Sequence, residues 1–192
     1  TMLVHTNAGK SSFQIADIDS ITFSSYGPPP IDSLIAYYPF NDSANDESGK
    51  GNNGIVSGAM PSADRFGDPN RAYMFNGVNN SINIPNSATL NINGHVSITL
   101  CAWINPDTIG IQQCVISKWG AGGSVDDQFI LGYIGNSANS LNRIGFQLSS
   151  TSTYLQCSTQ FLPRKWYFVC AVYDANNDMQ QIYVNGVLDT LR

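Results

Sequence analysis

The chain has 192 residues, of which 12% are charged and 42% are hydrophobic, with a formal net charge of -5 and a pI near 4.6. Since about a quarter of the residues are charged in an average soluble protein, this surface must be solvated largely by amides and hydroxyls. The acidic balance without a basic run excludes nucleic acid and anionic membranes as partners. The hydrophobic content excludes wholesale disorder, and the apolar runs are too short for membrane insertion.

The first 25 residues are predicted to form a small β segment. Met2–Thr6 is read as a short strand, a turn follows at 7–10, and 13–15 predicts the second strand of a hairpin. A third short strand is predicted at 21–23. The stretch 17–23 resembles the N-termini of exported bacterial surface proteins. Three consecutive prolines then predict a stiff linker at 26–32, which places the main domain at 33–192.

The main domain is predicted to be an antiparallel β-sandwich. Short β-type runs are separated by Asn, Gly, Ser and Pro, and no stretch keeps a helical period over three turns. Asn185-Gly186 is typical of a tight hairpin turn, so a strand is expected to return after it. The predicted strands are 34–40, 72–75, 81–84, 96–105, 113–118, 129–134, 143–148, 154–158, 166–173 and 180–184. The fold class is therefore all-β.

Four cysteines, Cys101, Cys114, Cys157 and Cys170, are spread over the main domain. Zinc sites made of four cysteines normally use pairs about two to four residues apart, and these are much further apart. Disulfides are the better interpretation, and the residues alone leave three pairings open. Disulfides and low charge together indicate an exported chain whose signal peptide, if it had one, has been removed.

Catalytic groups are sparse. A glycosidase needs two carboxylates on either side of the scissile bond, whereas Glu47 is the only glutamate and lies in a loop rich in Gly and Asn. Asp126 and Asp127 are adjacent, so in a strand they would face opposite sides. Neither His5 nor His95 lies in a hydrolase motif. We therefore predict that the protein is not an enzyme.

Several motifs resemble the laminin-G-like domains of the concanavalin-A-like lectin class. The opening motifs lie at 34–40, 46–54, 64–67 and 72–77, and the match continues at 98–103, 115–118, 166–174 and 183–186. The resemblance covers the chain from Leu34 to its end. It implies a jelly-roll sandwich and a non-catalytic binding module for carbohydrate or protein ligands, secreted or at the cell surface, in a bacterium.

The cysteine placement resembles the pentraxin branch of this superfamily. That resemblance implies a bridge between Cys101 and Cys170, and leaves Cys114 with Cys157 as a second bridge. Family members usually continue past the motif at 183–186 with further strands, so the resemblance also implies a sandwich without its last strands. An open sheet edge can accept strands from another chain. The alternative function is thus a structural subunit of an extracellular fibre or surface assembly, which self-associates through this edge or the N-terminal segment.

The resemblance also suggests binding sites. Asp126 and Asp127 match the position of the first calcium ligands of pentraxins, and Asp46 with Asn76 forms a second calcium candidate, because calcium prefers hard oxygen ligands on loops. The alternative is that these side chains only form Asx turns. Trp119, beside a Gly-rich stretch, is the candidate platform for a sugar ring, unless it folds back onto the sheet. Trp103 and Trp166 are expected to be packing residues.

Overall fold

The computed structural model describes residues 2–6, 9–13, 34–91, 96–119, 128–133, 142–148 and 154–192; for 2–6, 9–13 and 133 it describes the backbone alone. The chain divides into two compact units, one made of 1–19 with 92–192 and the other of 20–91. The predicted domain boundary at 26–32 stays a prediction. Since 14–33 lies outside the described residues, the linker and the strand at 21–23 stay predictions.

The described residues form fourteen strands and one short 3-10 helix, so the fold is all-β as predicted. The N-terminal hairpin is confirmed, with β1 and β2 paired in antiparallel register, but its second strand lies at Gly9–Phe13 and not at the predicted 13–15. No helix in the described ranges has the length and apolarity to cross a bilayer. The elements are β1 Met2–Thr6, β2 Gly9–Phe13, β3 Ile55–Ser57, β4 Met60–Ser62, β5 Ala72–Met74, β6 Ser81–Asn83, the 3-10 helix Ala88–Leu90, β7 Ile98–Ile104, β8 Gln113–Lys118, β9 Phe129–Tyr133, β10 Gly145–Leu148, β11 Leu155–Gln156, β12 Tyr167–Asp174, β13 Met179–Val184 and β14 Val187–Leu191.

The larger unit is a sandwich of two four-stranded antiparallel sheets. Sheet I has the strand order β14-β13-β12-β7, and sheet II has the order β11-β10-β9-β8. Side chains alternate across each strand, so Val169 and Ala171 of β12 enter the core while their neighbours face outward. Leu131 and Phe146, each 0% exposed, supply the core from sheet II. Burial of these two apolar faces against each other is the main stabilising term of the unit.

The smaller unit contains two two-stranded sheets, β3 with β6 and β4 with β5. The predicted strand at 34–40 is wrong, because its backbone groups bond to the following loop instead of to a neighbouring strand. The Tyr37 backbone amide donates to the Asp46 carboxylate, and the Asn52 side-chain amide donates to the Ile35 carbonyl, each at 2.9 Å. Strands β3 and β4 were not predicted, because each has only three residues and mostly exposed side chains.

Asp189 connects the two sheets at one side of the sandwich. It lies on β14, and its carboxylate accepts hydrogen bonds from the Ser158 and Thr159 amides and from the Thr159 hydroxyl, just after β11. Asp189→Ala removes three bonds to a charged acceptor, so we expect it to lower the free energy of unfolding by about 1–3 kcal/mol. Urea unfolding measures this change. Asp107→Ala, which removes an exposed ion pair with Arg164, is the control and should cost less than about 1 kcal/mol; equal losses would contradict the role of Asp189.

Candidate functional site

A β-bulge in β8 determines which way the end of this strand faces. Cys114 pairs with Gly132 and Ile116 pairs with Leu131, so Val115 is an extra residue. A bulge of one residue reverses the alternation beyond it. Cys114 faces outward, and after the bulge Ile116 faces the core while Ser117 is exposed. Trp119 continues this alternation on the outward side.

The outward face of sheet II carries two exposed aromatic rings. Trp119, immediately after β8, is 38% exposed, and Tyr154, immediately before β11, is 40% exposed. Leu155, the residue after Tyr154, is only 7% exposed and faces the core, so Tyr154 faces outward by the alternation of the strand. Trp119 therefore does not fold away into the core, which was the alternative to its predicted role. Tyr154 was not predicted, although its place one residue before a buried strand residue could have indicated it.

Strand pairing places polar side chains between the two rings. Ser117 pairs with Ile130, and Ile130 pairs with Gln147, so these three residues form one row across the sheet. Phe146 pairs with Leu155, so Gln147 and Tyr154, the next residues along, also lie opposite each other, and Tyr154 extends the row. Gln128 lies beside the end of β8, since its backbone amide donates to the Lys118 carbonyl at 2.8 Å. The face consequently combines aromatic rings with amide and hydroxyl groups, the combination that sugar binding requires.

Gly132 permits the bulge that turns Trp119 outward. A Cβ at this position would clash with the Gln113 carbonyl and lie 3.0 Å from the Cys114 Cα, and backbone atoms cannot move aside as a flexible side chain can. We expect Gly132→Ala to lower the free energy of unfolding by about 1–3 kcal/mol, measured by urea unfolding. Ser117→Ala, an exposed change on the same sheet, should stay within about 0.5 kcal/mol. A neutral effect of Gly132→Ala would contradict the close approach of the two backbones.

Asp46 has its oxygens occupied by hydrogen-bond donors. The amides of Tyr37 and Ser48 donate to Oδ1, and the Asn52 amide and Ser48 hydroxyl donate to Oδ2, all at 2.9 Å. Burial opposes ionisation, but these donors outweigh it and hold the pKa of Asp46 below its ordinary value. A carboxylate surrounded by N–H and O–H groups organises a loop; a cation would have to displace those donors.

Asn76 has the same kind of role in another turn. Its Oδ1 accepts from the amides of Val78, Asn79 and Asn80 at 2.9–3.2 Å. Across the residues that the structure describes, no group of three or more His, Cys, Asp or Glu side chains is placed to hold a metal. The geometry of Asp46 and Asn76 therefore fits the Asx-turn alternative. Asp126 and Asp127 lie outside the described residues, and calcium binding there stays a prediction.

The hydrogen bonds of Asp46 predict a pH dependence. Because its folded pKa is below the unfolded value, its contribution to stability is complete above the unfolded pKa, near 4, and is lost as the pH falls through the folded pKa. We expect thermal unfolding of the chain to show a loss of stability below about pH 4 that Asp46→Asn reduces. Asp42→Asn, in the same loop, is the control; an identical acid profile for wild type and Asp46→Asn would contradict this assignment.

Cys101 and Cys170 lie directly opposite each other in sheet I. They are paired residues of the antiparallel strands β7 and β12, and directly opposed Cα atoms lie about 4.5–5.5 Å apart, within the span of a disulfide. The structure holds both as thiols, with sulfurs 2.9 Å apart. The hydrogen bond with Cys101, followed by burial, raises the pKa of Cys170. Since Cys101 is the exposed member of the pair, it is the thiol that a reagent can reach.

The second predicted bridge, between Cys114 and Cys157, does not fit the sheet. Cys114 is on β8 and Cys157 follows β11, and these strands form opposite edges of sheet II, about 14 Å apart at the usual strand spacing. A disulfide spans at most about 7 Å between Cα atoms. Cys157 also faces the core, where burial and then Asp189 raise its pKa to about 12. The prediction of this bridge is therefore wrong.

The other two tryptophans differ from Trp119. Trp103 is half-buried and packs against Phe168 on the paired strand, with ring centroids 5.4 Å apart. This confirms the expected packing role of Trp103. Trp166 is half-buried just before β12. Its predicted packing role stays a prediction. Trp119 is thus the tryptophan with the largest exposed surface of the three.

The chain belongs to the concanavalin A-like lectin/glucanases superfamily, because the model of its laminin-G-like family matches residues 76–190. This confirms the family expected from the motifs. No curated protein matches the chain significantly.

Two solved structures are similar to this chain. One is a provisionally assigned carbohydrate-binding protein from Bacteroides ovatus ATCC 8483, with 17% identity, coverage of 72% of this chain and 31% of that one, and a TM-score of 0.43. The other is a native heptameric SAP-like pentraxin from Limulus polyphemus, with 26% identity, coverage of 49% of this chain and 42% of that one, and a TM-score of 0.33. The chain thus covers less than half the length of either structure.

Proposed function

We propose that the protein is a non-catalytic carbohydrate-binding module, exported and acting at a cell surface, with Trp119 as a platform for a sugar ring. The observation that carries the proposal is the outward face of sheet II, where the exposed Trp119 ring adjoins amide and hydroxyl side chains. Apolar sugar faces stack on aromatic rings, and sugar hydroxyls exchange hydrogen bonds with amides. Membership of a superfamily that contains lectins agrees with this assignment.

A hydrolytic function is less well supported, although the superfamily also includes glucanases. Glycoside hydrolysis needs two carboxylates on either side of the bond. On the described strands of sheet II, the outward positions carry neither Asp nor Glu. This face can therefore hold a glycan without supplying an acid and a base. Asp126 and Asp127 are retained as the calcium candidate of this proposal.

A glycan array tests the proposal with wild-type protein, Trp119→Ala and Phe66→Ala. Phe66 is an aromatic residue of the smaller unit with 51% exposure, so it controls for the loss of any exposed ring. We expect binding to at least one glycan, lost in Trp119→Ala and retained in Phe66→Ala. An EDTA arm separates calcium-dependent binding from binding by the face alone. Failure of every glycan to bind, or equal binding by Trp119→Ala, would contradict the proposal.

The second candidate function, a subunit of an extracellular assembly, is favoured by one observation. β14 is an edge strand of sheet I, and Val187, Leu188 and Leu191 on it are 60%, 41% and 55% exposed. An edge strand with exposed aliphatic residues can pair with a strand of another chain. Electron microscopy distinguishes this function: polymers that disappear on deleting residues 1–25 would support it, and a monodisperse monomer that binds glycan would oppose it.

A further inference from the structure

The two exposed aromatic rings of sheet II belong to opposite edges of one face. Trp119 adjoins β8 and Tyr154 adjoins β11, with β9 and β10 between them. Three strand spacings of about 4.8 Å separate these edges, which gives about 14 Å. A single sugar ring cannot contact both aromatic residues. A ligand that uses both must be extended and must run across the strands.

The space between the rings offers hydrogen bonds without charge. The outward positions on the described strands β8 to β11, with the two rings beside them, are Ser117, Trp119, Ile130, Gln147, Tyr154, Cys114, Gly132, Gly145 and Gln156, and none of these is Lys, Arg, His, Asp or Glu. Arg143 lies before β10, beyond the row of Gly132 and Gly145 and away from the two rings. A carboxylate or sulfate on a ligand would lose its hydration here without gaining an opposite charge, which is unfavourable. Amides instead both donate to and accept from hydroxyl groups.

The solvent exposure of the outward face of sheet II also changes along the strands. Gly132 and Gly145, in the row that joins Cys114 to Gln156, are buried. In the next row, Gln147 is half-buried and Ser117 and Tyr154 are exposed. The open part of the face is therefore a band that runs from Trp119 and Ser117 toward Tyr154. A band across the strands matches a linear chain better than a branched or globular ligand.

From this geometry we propose that the site takes a neutral, linear oligosaccharide that lies across the four strands of sheet II, with Trp119 and Tyr154 stacking on different sugar residues and Gln147 bonding the segment between them. This inference rests on the proposed function and adds the class of glycan, its direction across the sheet and a second platform. Binding should strengthen once the ligand is long enough to reach both rings.

Calorimetric titration of the whole chain tests the inference with neutral gluco- and manno-oligosaccharides of increasing length, and with galacturonan oligomers as charged counterparts. We expect affinity to rise by roughly tenfold when the ligand spans both rings, since the second ring adds a stacking contact without a second loss of translational and rotational freedom. Tyr154→Ala should remove that rise and leave the short oligosaccharides unaffected. Gln147→Ala should weaken only the long ones, and Phe66→Ala should bind as wild type.

The outcomes separate this inference from the proposed function. Binding that depends on Trp119 but is independent of length and of Tyr154 would overturn the inference and keep the carbohydrate-binding module. Preference for galacturonan over the neutral chains would do the same. Binding that depends on neither ring, or no glycan binding, would overturn both. Both rings are exposed, so the variants should fold, and thermal unfolding of each one verifies this.

Discussion

Oxidation of Cys101 and Cys170 to a disulfide is expected to raise the free energy of unfolding by up to about 4 kcal/mol. The two residues are 69 positions apart in sequence, and closing a loop of that length in the unfolded chain costs about this much in the chain-entropy model. Their pairing in antiparallel register means that the folded strands need little movement to form the bond. We therefore propose that this bridge is the native state of the pair in an exported protein.

Glutathione disulfide as oxidant provides the test. For each bond formed, the two protein thiols pass two electrons and two protons to glutathione disulfide, whose own S–S bond breaks to give two glutathione thiols. Intact mass and peptide mapping should identify a Cys101–Cys170 linkage, and urea unfolding should show the gain relative to the reduced chain. Cys101→Ser should abolish the gain, whereas Cys114→Ser, an exposed cysteine of the other sheet, should not. Linkage of Cys114 to Cys157 in a folded chain would contradict the strand order of sheet II.

Phe146→Ala should lower the free energy of unfolding by about 3–5 kcal/mol, the usual range for a fully buried phenylalanine. Phe146 is 0% exposed and its neighbours in sheet register, Leu131 and Leu155, are also core residues. The cavity would open between the two sheets, where a close-packed interior relaxes only partly.

Urea unfolding followed by far-UV circular dichroism measures the loss. Phe75→Ala provides the matched control, since Phe75 is 48% exposed and its removal should cost less than about 1 kcal/mol. Similar losses for the two variants would show that Phe146 is not at the centre of the core.

Much of the sandwich could be predicted from the sequence, because its strands carry strong local signals. The run at 166–173 is rich in β-branched and aromatic residues and became β12, and Asn185-Gly186 correctly predicted the return of the chain in β14. The run at 34–40 has equally apolar residues, but Asp46 and Asn52 satisfy its backbone groups from the following loop. Local pattern alone does not distinguish a strand from a segment held by distant side chains.

The candidate face could be predicted only in part. Trp119 was predicted from its residue type and its neighbours. The side of the sheet that Trp119 faces depends on the bulge at Val115, which no residue of β8 indicates in the sequence. Tyr154 depends on the pairing of β11 with β10, a contact between distant segments. The wrong bridge between Cys114 and Cys157 has the same origin, because only the strand order shows that they lie on opposite edges.

The most direct test of the glycan face is fluorine NMR of the chain labelled with 5-fluorotryptophan and titrated with a neutral oligosaccharide. The signals of Trp103, Trp119 and Trp166 can be assigned by replacing each residue with phenylalanine. The outward position of Trp119 predicts that its signal moves with saturation while that of Trp103, packed against Phe168, stays in place. Saturable binding that moves the Trp103 signal and leaves that of Trp119 unchanged would place the glycan elsewhere and contradict the central claim.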